Sequence, residues 1–107
     1  MGRRQQAEMK HFLIMINYIV PLEKIDEILP VHRKFLQEGY DKNILLFSGP
    51  RNPRTGGIVA ARANSIDEIK NFFSNDPYSL NNYATYEIIE FDPVKRQDLL
   101  DHWIDGK

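Results

Sequence analysis

Cysteine is absent from the 107 residues. That excludes a disulfide framework, a thiolate nucleophile and a zinc-thiolate site, and makes a reducing compartment, the cytoplasm, the expected location. Long apolar runs are absent too: the longest, Phe12 to Val20, is broken by Asn17 and is too short to cross a bilayer as a helix. Arg3 and Arg4 precede it as in a signal peptide, yet only Pro21, Leu22 and Glu23 follow, with no small-residue cleavage site. Neither charge is in excess, since 14 Lys plus Arg stand against 15 Asp plus Glu. A nucleic-acid surface needs basic residues clustered on one face, so neither nucleic acid nor a membrane is an expected partner. His11, His32 and His102 lie far apart with no ligand spacing, so no metal is expected. Gly56-Gly57 lacks the Lys and the Ser or Thr of a phosphate loop; it reads as a turn entering a strand, and no cofactor is expected.

What is present fits one small domain. Residues 1–8 are polar and aperiodic and read as a disordered extension, residues 9–93 as the domain, and residues 94–107 as a tail with a short amphipathic helix. His11 to Tyr18 has the bulk and length of a strand. After Pro21, Leu22, Ile25, Leu29, His32 and Leu36 recur at the spacing of one helical face. Gly39 is expected to end that helix, and Pro30 to kink it or restart it as a second piece. Ile44 to Ser48 and Gly57 to Ala61 read as strands, and Tyr83 to Phe91 contains a fourth. Ser65-Ile66-Asp67-Glu68 reads as a capping box, opening a helix with Ile66, Ile69, Phe72 and Phe73 inward that Asn75-Asp76-Pro77 stops.

The order is β-α-β-β-α-β, an α+β ferredoxin-like fold with an antiparallel sheet and both helices on one face. Phe12, Ile14 and Ile16 point to one side of the first strand, Leu13 and Met15 to the other, and the next two strands are also apolar on both faces. Two helices cover one face only, so the second is expected to pack on an identical subunit as a homodimer. Trp103, Leu99 and Leu100 are expected to dock the tail on the domain or its partner.

Two residues sit awkwardly for purely structural roles. His32 stands on the apolar stripe where an aliphatic residue would complete it, although a lone core histidine bonded to backbone groups is the commoner case. Asp76 follows a helix whose C-terminal carbonyls disfavour a carboxylate, although Asp before Pro is also an ordinary turn former. If the two meet, the carboxylate holds one ring nitrogen and leaves the other as a general base or acid. A helix restarted at Pro30 would put His32 in a first turn, where the dipole favours neutral imidazole. Ser48 and Gly49 offer a hydroxyl and an accessible N–H to a ligand oxygen. Arg51 and Arg54 in one loop offer planar donor forks to a carboxylate or phosphate, although solvated loop arginines are ordinary, and Tyr78, Tyr83 and Tyr86 could line a pocket.

With Leu29-Pro30-Val31-His32-Arg33-Lys34-Phe35-Leu36, Ser48-Gly49-Pro50-Arg51-Asn52-Pro53, Gly56-Gly57, Asn75-Asp76-Pro77-Tyr78 and Tyr86 to Phe91 in place, the chain resembles the YciI-like (YCII-related) family from about Met9 to Pro93. Pro30 and the tail stand outside the pattern. The resemblance implies a dimeric α+β barrel, a cleft lined by His32 and Asp76 with Ser48 and Gly49 beside them, and an enzymatic role. The expected function is a cofactor-independent enzyme, of lyase, isomerase or dehydrochlorinase-like type, working on a small oxygenated or aromatic metabolite by a His32–Asp76 dyad, with Ser48, Gly49, Arg54 and Tyr78 binding substrate. The alternatives are a non-catalytic small-ligand module using the same cleft and a cofactor-free monooxygenase of the dimeric barrel type.

Overall fold

The structure, a computed structural model, describes residues 9–107; the expectation for residues 1–8 lies outside the described residues. Strands β1 (Lys10–Tyr18), β2 (Leu45–Pro50), β3 (Gly56–Ala63) and β4 (Ala84–Phe91) form one antiparallel sheet in the order β2-β3-β1-β4. Helices α1 (Leu22–Asp41) and α2 (Ile66–Phe73) complete the ferredoxin-like α+β arrangement. A short helix α3 (Pro77–Leu80) lies between α2 and β4. Phe12, Ile14 and Ile16 of β1 are at most 2% exposed and meet Ile25, Phe35, Leu36, Ile69 and Phe73 of the two long helices. Each such side chain taken from water contributes about 1.5–3 kcal/mol before conformational entropy is charged.

Helix α1 departs from expectation at two places. It runs unbroken through Pro30, so the proline does not restart it as a second piece. Pro30 lies on the exposed face, where the Asp26 carbonyl that loses its partner can be solvated, so packing of the opposite face overrides the local penalty. The helix also continues past Gly39 to Asp41. Asn43, at φ 60°, closes it with the Asn43 N–H on the Tyr40 carbonyl and the Ile44 N–H on the Gly39 carbonyl, a left-handed cap that asparagine tolerates. Gly39 serves packing instead, because a Cβ there would lie 2.6 Å from Phe72 Cζ and 2.8 Å from Leu45.

Two smaller expectations are corrected as well. The Ser65 hydroxyl accepts from the Glu68 N–H at 3.3 Å, but the Glu68 carboxylate reaches the N–H of Asn64, one residue before the cap. Gly56 lies within β3 with Gly57 and not in a turn before it; at Gly56 a Cβ would fall 1.8 Å from the Ile16 carbonyl oxygen, so only glycine lets the strands approach there.

The other sheet face carries Leu13, Met15, Ile58, Phe47, Ile89 and Phe91, of which Phe47 is 57% and Ile89 and Phe91 are each 42% exposed. One end of that face is covered by the tail, a 3-10 turn (Asp98–Leu100) and helix α4 (Asp101–Ile104). Arg62 is buried there with its guanidinium 3.8 Å over the Trp103 ring, donating to the carbonyls of Trp103 at 2.8 Å and Asn43 at 3.0 Å. His11, its neighbour across the strands, bonds the Ile104 carbonyl through Nε2 at 3.1 Å. Trp103 therefore docks the tail on the domain, while Leu99 is 82% exposed and makes no such contact within the chain.

Candidate functional site

A cleft of about 500 Å³ opens between α1 and the neighbouring ends of β1, β2 and β3. His32, Ser48, Gly49, Arg54 and Tyr78 all line it, over a floor that includes Ile16, Leu29, Leu36 and Val59. Asp76 lies behind His32, fully buried. The chemistry of the site starts with that buried carboxylate, which α3 explains. Asp76 is the N-cap of α3, and its Oδ1 accepts from the Tyr78 N–H at 3.1 Å, with Pro77 at the first helical position where its missing N–H costs nothing. The C-terminal end of α2 is therefore not the environment that decides for a carboxylate here. The N-terminus of α3 is.

From that position Asp76 Oδ1 accepts from His32 Nδ1 at 2.8 Å, and Oδ2 accepts from the Tyr86 hydroxyl at 2.6 Å. Three donors thus satisfy a carboxylate that burial would otherwise penalise heavily. Burial and the adjacent Asp76 push the Tyr86 hydroxyl well above the ordinary phenol range, so it remains a donor to the carboxylate. With Nδ1–H committed to Asp76, the lone pair of Nε2 is set in the imidazole plane on the other side of the ring. No described residue bonds Nε2, and His32 lines the cleft. His32 sits in the middle of α1, so the helix-start effect on its charge expected from a break at Pro30 does not arise.

The Tyr78 ring stacks on the imidazole at 4.0 Å between centroids with 13° between planes. It meets the Tyr18 ring edge-on at 5.7 Å. The Tyr78 hydroxyl is buried and has no hydrogen-bond partner among the described residues. Burial, first, then Tyr18 and Asp76 push it well above the usual phenol range. Across the cleft the Ser48 hydroxyl pairs with the Tyr40 hydroxyl at 2.6 Å, and Arg54 donates to Asp26 of α1 at 2.6 Å.

Of the three tyrosines expected at a pocket, only Tyr78 lines this one. Tyr83 lies beneath Lys24, and Tyr86 supports Asp76 from behind, because β4 is separated from the cleft by α3 and β1. Arg51 is drawn to Asn17 at 2.9 Å and does not line the cleft. Tyr18 and Tyr40 were not anticipated. Tyr18 shares the strand parity of the inward Ile14 and Ile16, which was the available signal; the pairing of Tyr40 with Ser48 joins a helix to a strand and left none in the sequence.

Among the described residues no group of three His, Asp or Glu side chains could hold a metal ion, and no helix is long and apolar enough to cross a membrane.

No curated protein matches the chain. Among solved structures, the fold is similar to 5-chloro-2-hydroxyhydroquinone dehydrochlorinase (TftG) from Burkholderia phenoliruptrix AC1100, in complex with 2,5-dihydroxybenzoquinone, at a TM-score of 0.66 and 21% identity over 76% of this chain and 92% of that one. At that identity the likeness is one of fold. The family model described as the YCII-related domain matches residues 9–92, from the first strand through Asp76 to the end of the fourth, and the chain belongs to that family.

Proposed function

We propose that the protein is a small cofactor-independent enzyme in which Nε2 of His32 moves a proton on a small oxygenated substrate bound in the cleft. The observation that carries this reading is the 2.8 Å bond from His32 Nδ1 to a fully buried Asp76, on an imidazole that lines a cleft. Asp76 orients the ring and stabilises the imidazolium formed when Nε2 takes the proton. Ser48, Gly49, Arg54 and Tyr78 share the cleft and serve substrate binding. The fold it shares with a dehydrochlorinase in complex with 2,5-dihydroxybenzoquinone supports a lyase-like reaction, in which a proton passes to His32 while a leaving group departs from the substrate with its bonding electrons.

The first probe is 5-chloro-2-hydroxyhydroquinone, with chloride release as the readout, followed by hydroxybenzoquinones in deuterium oxide with exchange of ring protons as the readout. General acid–base catalysis contributes roughly 10²–10⁴-fold, so His32→Ala is expected to lower turnover by about that factor. Asp76→Asn, which removes the charge and puts an N–H donor in place of one accepting oxygen, is expected to lower it as well. Ligand binding without turnover, unchanged in both variants, would overturn the catalytic reading in favour of a binding module.

The same proposal includes a homodimer through the open sheet face. Contiguous apolar surface on a monomer rarely exceeds a few hundred Å². Phe47, Ile89 and Phe91 stand exposed on that face beside half-buried Leu13, Met15 and Ile58. Light scattering at micromolar concentration should give twice the mass of the chain; the mass of one chain would refute the dimer.

A further inference from the structure

The Tyr78 hydroxyl lies beside the Tyr18 hydroxyl but makes no well-formed hydrogen bond among the described residues. The residue is 1% exposed, and a buried hydroxyl left unbonded costs on the order of 1–3 kcal/mol. Its polar neighbours are Tyr18, Asp76 and Arg54, and Asp76 is already occupied by His32, Tyr86 and its own cap. Tyr18 and Arg54 bring further O–H and N–H groups to the same end of the cleft, so that end is rich in hydrogen-bond donors. Arg54 is held by Asp26, whose side chain is 53% exposed, while that of Arg54 is 33% exposed. An exposed pair of this kind is weak, so the guanidinium can exchange its partner at little cost.

We infer that this end of the cleft receives the oxyanion of a small organic ligand, which accepts from the Tyr78 hydroxyl and takes Arg54 from Asp26, while the apolar body of the ligand lies over Ile16, Leu29 and Val59 beside His32. The inference deepens the proposed reading by naming the substrate class, an organic anion with an apolar body, and it rests on that reading for the use made of the bound anion. Two features fit it. The hydroxyl is held protonated by burial, so it meets an oxyanion as a donor and does not compete for the proton that His32 moves. The Tyr78 ring is stacked on the imidazole and both line the cleft, so an anion bound at the hydroxyl shares the cleft with His32.

Two anion sources share this chemistry, ionised phenols or enols and carboxylates. The test uses 4-nitrophenol, which ionises near neutral pH, against 4-nitroanisole, and benzoate against benzamide, in equilibrium titrations of the full chain at pH 8. At least one anion is expected to bind about tenfold or more tighter than its neutral counterpart, and the winning pair identifies the source. Tyr78→Phe, which keeps the ring stack, is expected to erase most of that preference while binding the neutral compounds as before. Arg54→Gln is expected to weaken the anion severalfold. The anion preference is read at equilibrium without turnover, so it stands or falls separately from the dyad, which turnover in His32→Ala tests. Equal binding of anions and neutral compounds, no binding of either, or undiminished anion binding by Tyr78→Phe overturns the inference.

Discussion

At the residue scale, one carboxylate organises the site. Asp76 could be singled out in the sequence as a charge misplaced after a helix, and its turn-forming role before Pro77 was equally visible. The structure shows that the two descriptions are one: the cap that starts α3 is what aims the other lone pairs at His32 and Tyr86. Tyr86 was legible only as a possible pocket tyrosine, because its bond to Asp76 depends on where α3 lies over β4. A short charge-assisted O–H···O bond is worth about 1.5–3 kcal/mol, so Tyr86→Phe should lower the unfolding free energy by roughly that much in a denaturant titration with an unchanged slope. A loss below about 0.5 kcal/mol would mean that the hydroxyl does not support the buried carboxylate.

At the scale of elements, periodicity located the strands and helices well, and local breakers were overrated. Pro30 remains inside α1 because Ile25, Phe35 and Leu36, on either side of it, are all buried on the same core. Interior proline costs about 3 kcal/mol in an exposed helix, part of it returned by restricting the unfolded chain. Pro30→Ala should therefore stabilise the protein by about 1–2 kcal/mol and raise Tm by several degrees; no rise in a thermal melt would show that the helix is already adapted to the ring. Gly39 should behave in the opposite way. Alanine is the better helix former, but its Cβ would press on Phe72 and Leu45, so Gly39→Ala should cost about 1–2 kcal/mol, read by chemical denaturation. A stabilised variant would show that Phe72 swings away freely.

At the scale of the whole molecule, the tail and the open face are coupled. His11 and Arg62 face each other across β1 and β3, and both hold the tail by its carbonyls. Burial, above all, and the nearby Arg62 and Arg96 lower the His11 pKa, against the pull of the Ile104 carbonyl and Asp92. A group whose folded pKa is depressed binds its proton more readily when unfolded, so its contribution to stability is present above the ordinary histidine range and is lost as pH falls through the folded pKa. Wild type should lose more stability than His11→Gln between pH 7.5 and pH 5, measured by denaturant melts at both values. Equal losses would remove His11 as the cause.

The amino-acid sequence determined the element order, the inward faces and the choice of His32 and Asp76, because strand parity, helical spacing and residue chemistry are local properties. It also exposed the surplus of apolar residues on the second sheet face. The tertiary structure alone decided that the pair meets at 2.8 Å, that Tyr86 supports it, that Tyr83 and Arg51 stand aside, and that Tyr78 is left with an unanswered hydroxyl. Each of these depends on side chains distant in sequence sharing a few ångströms of space, which packing of α1 and α3 against the sheet fixes and no local pattern encodes.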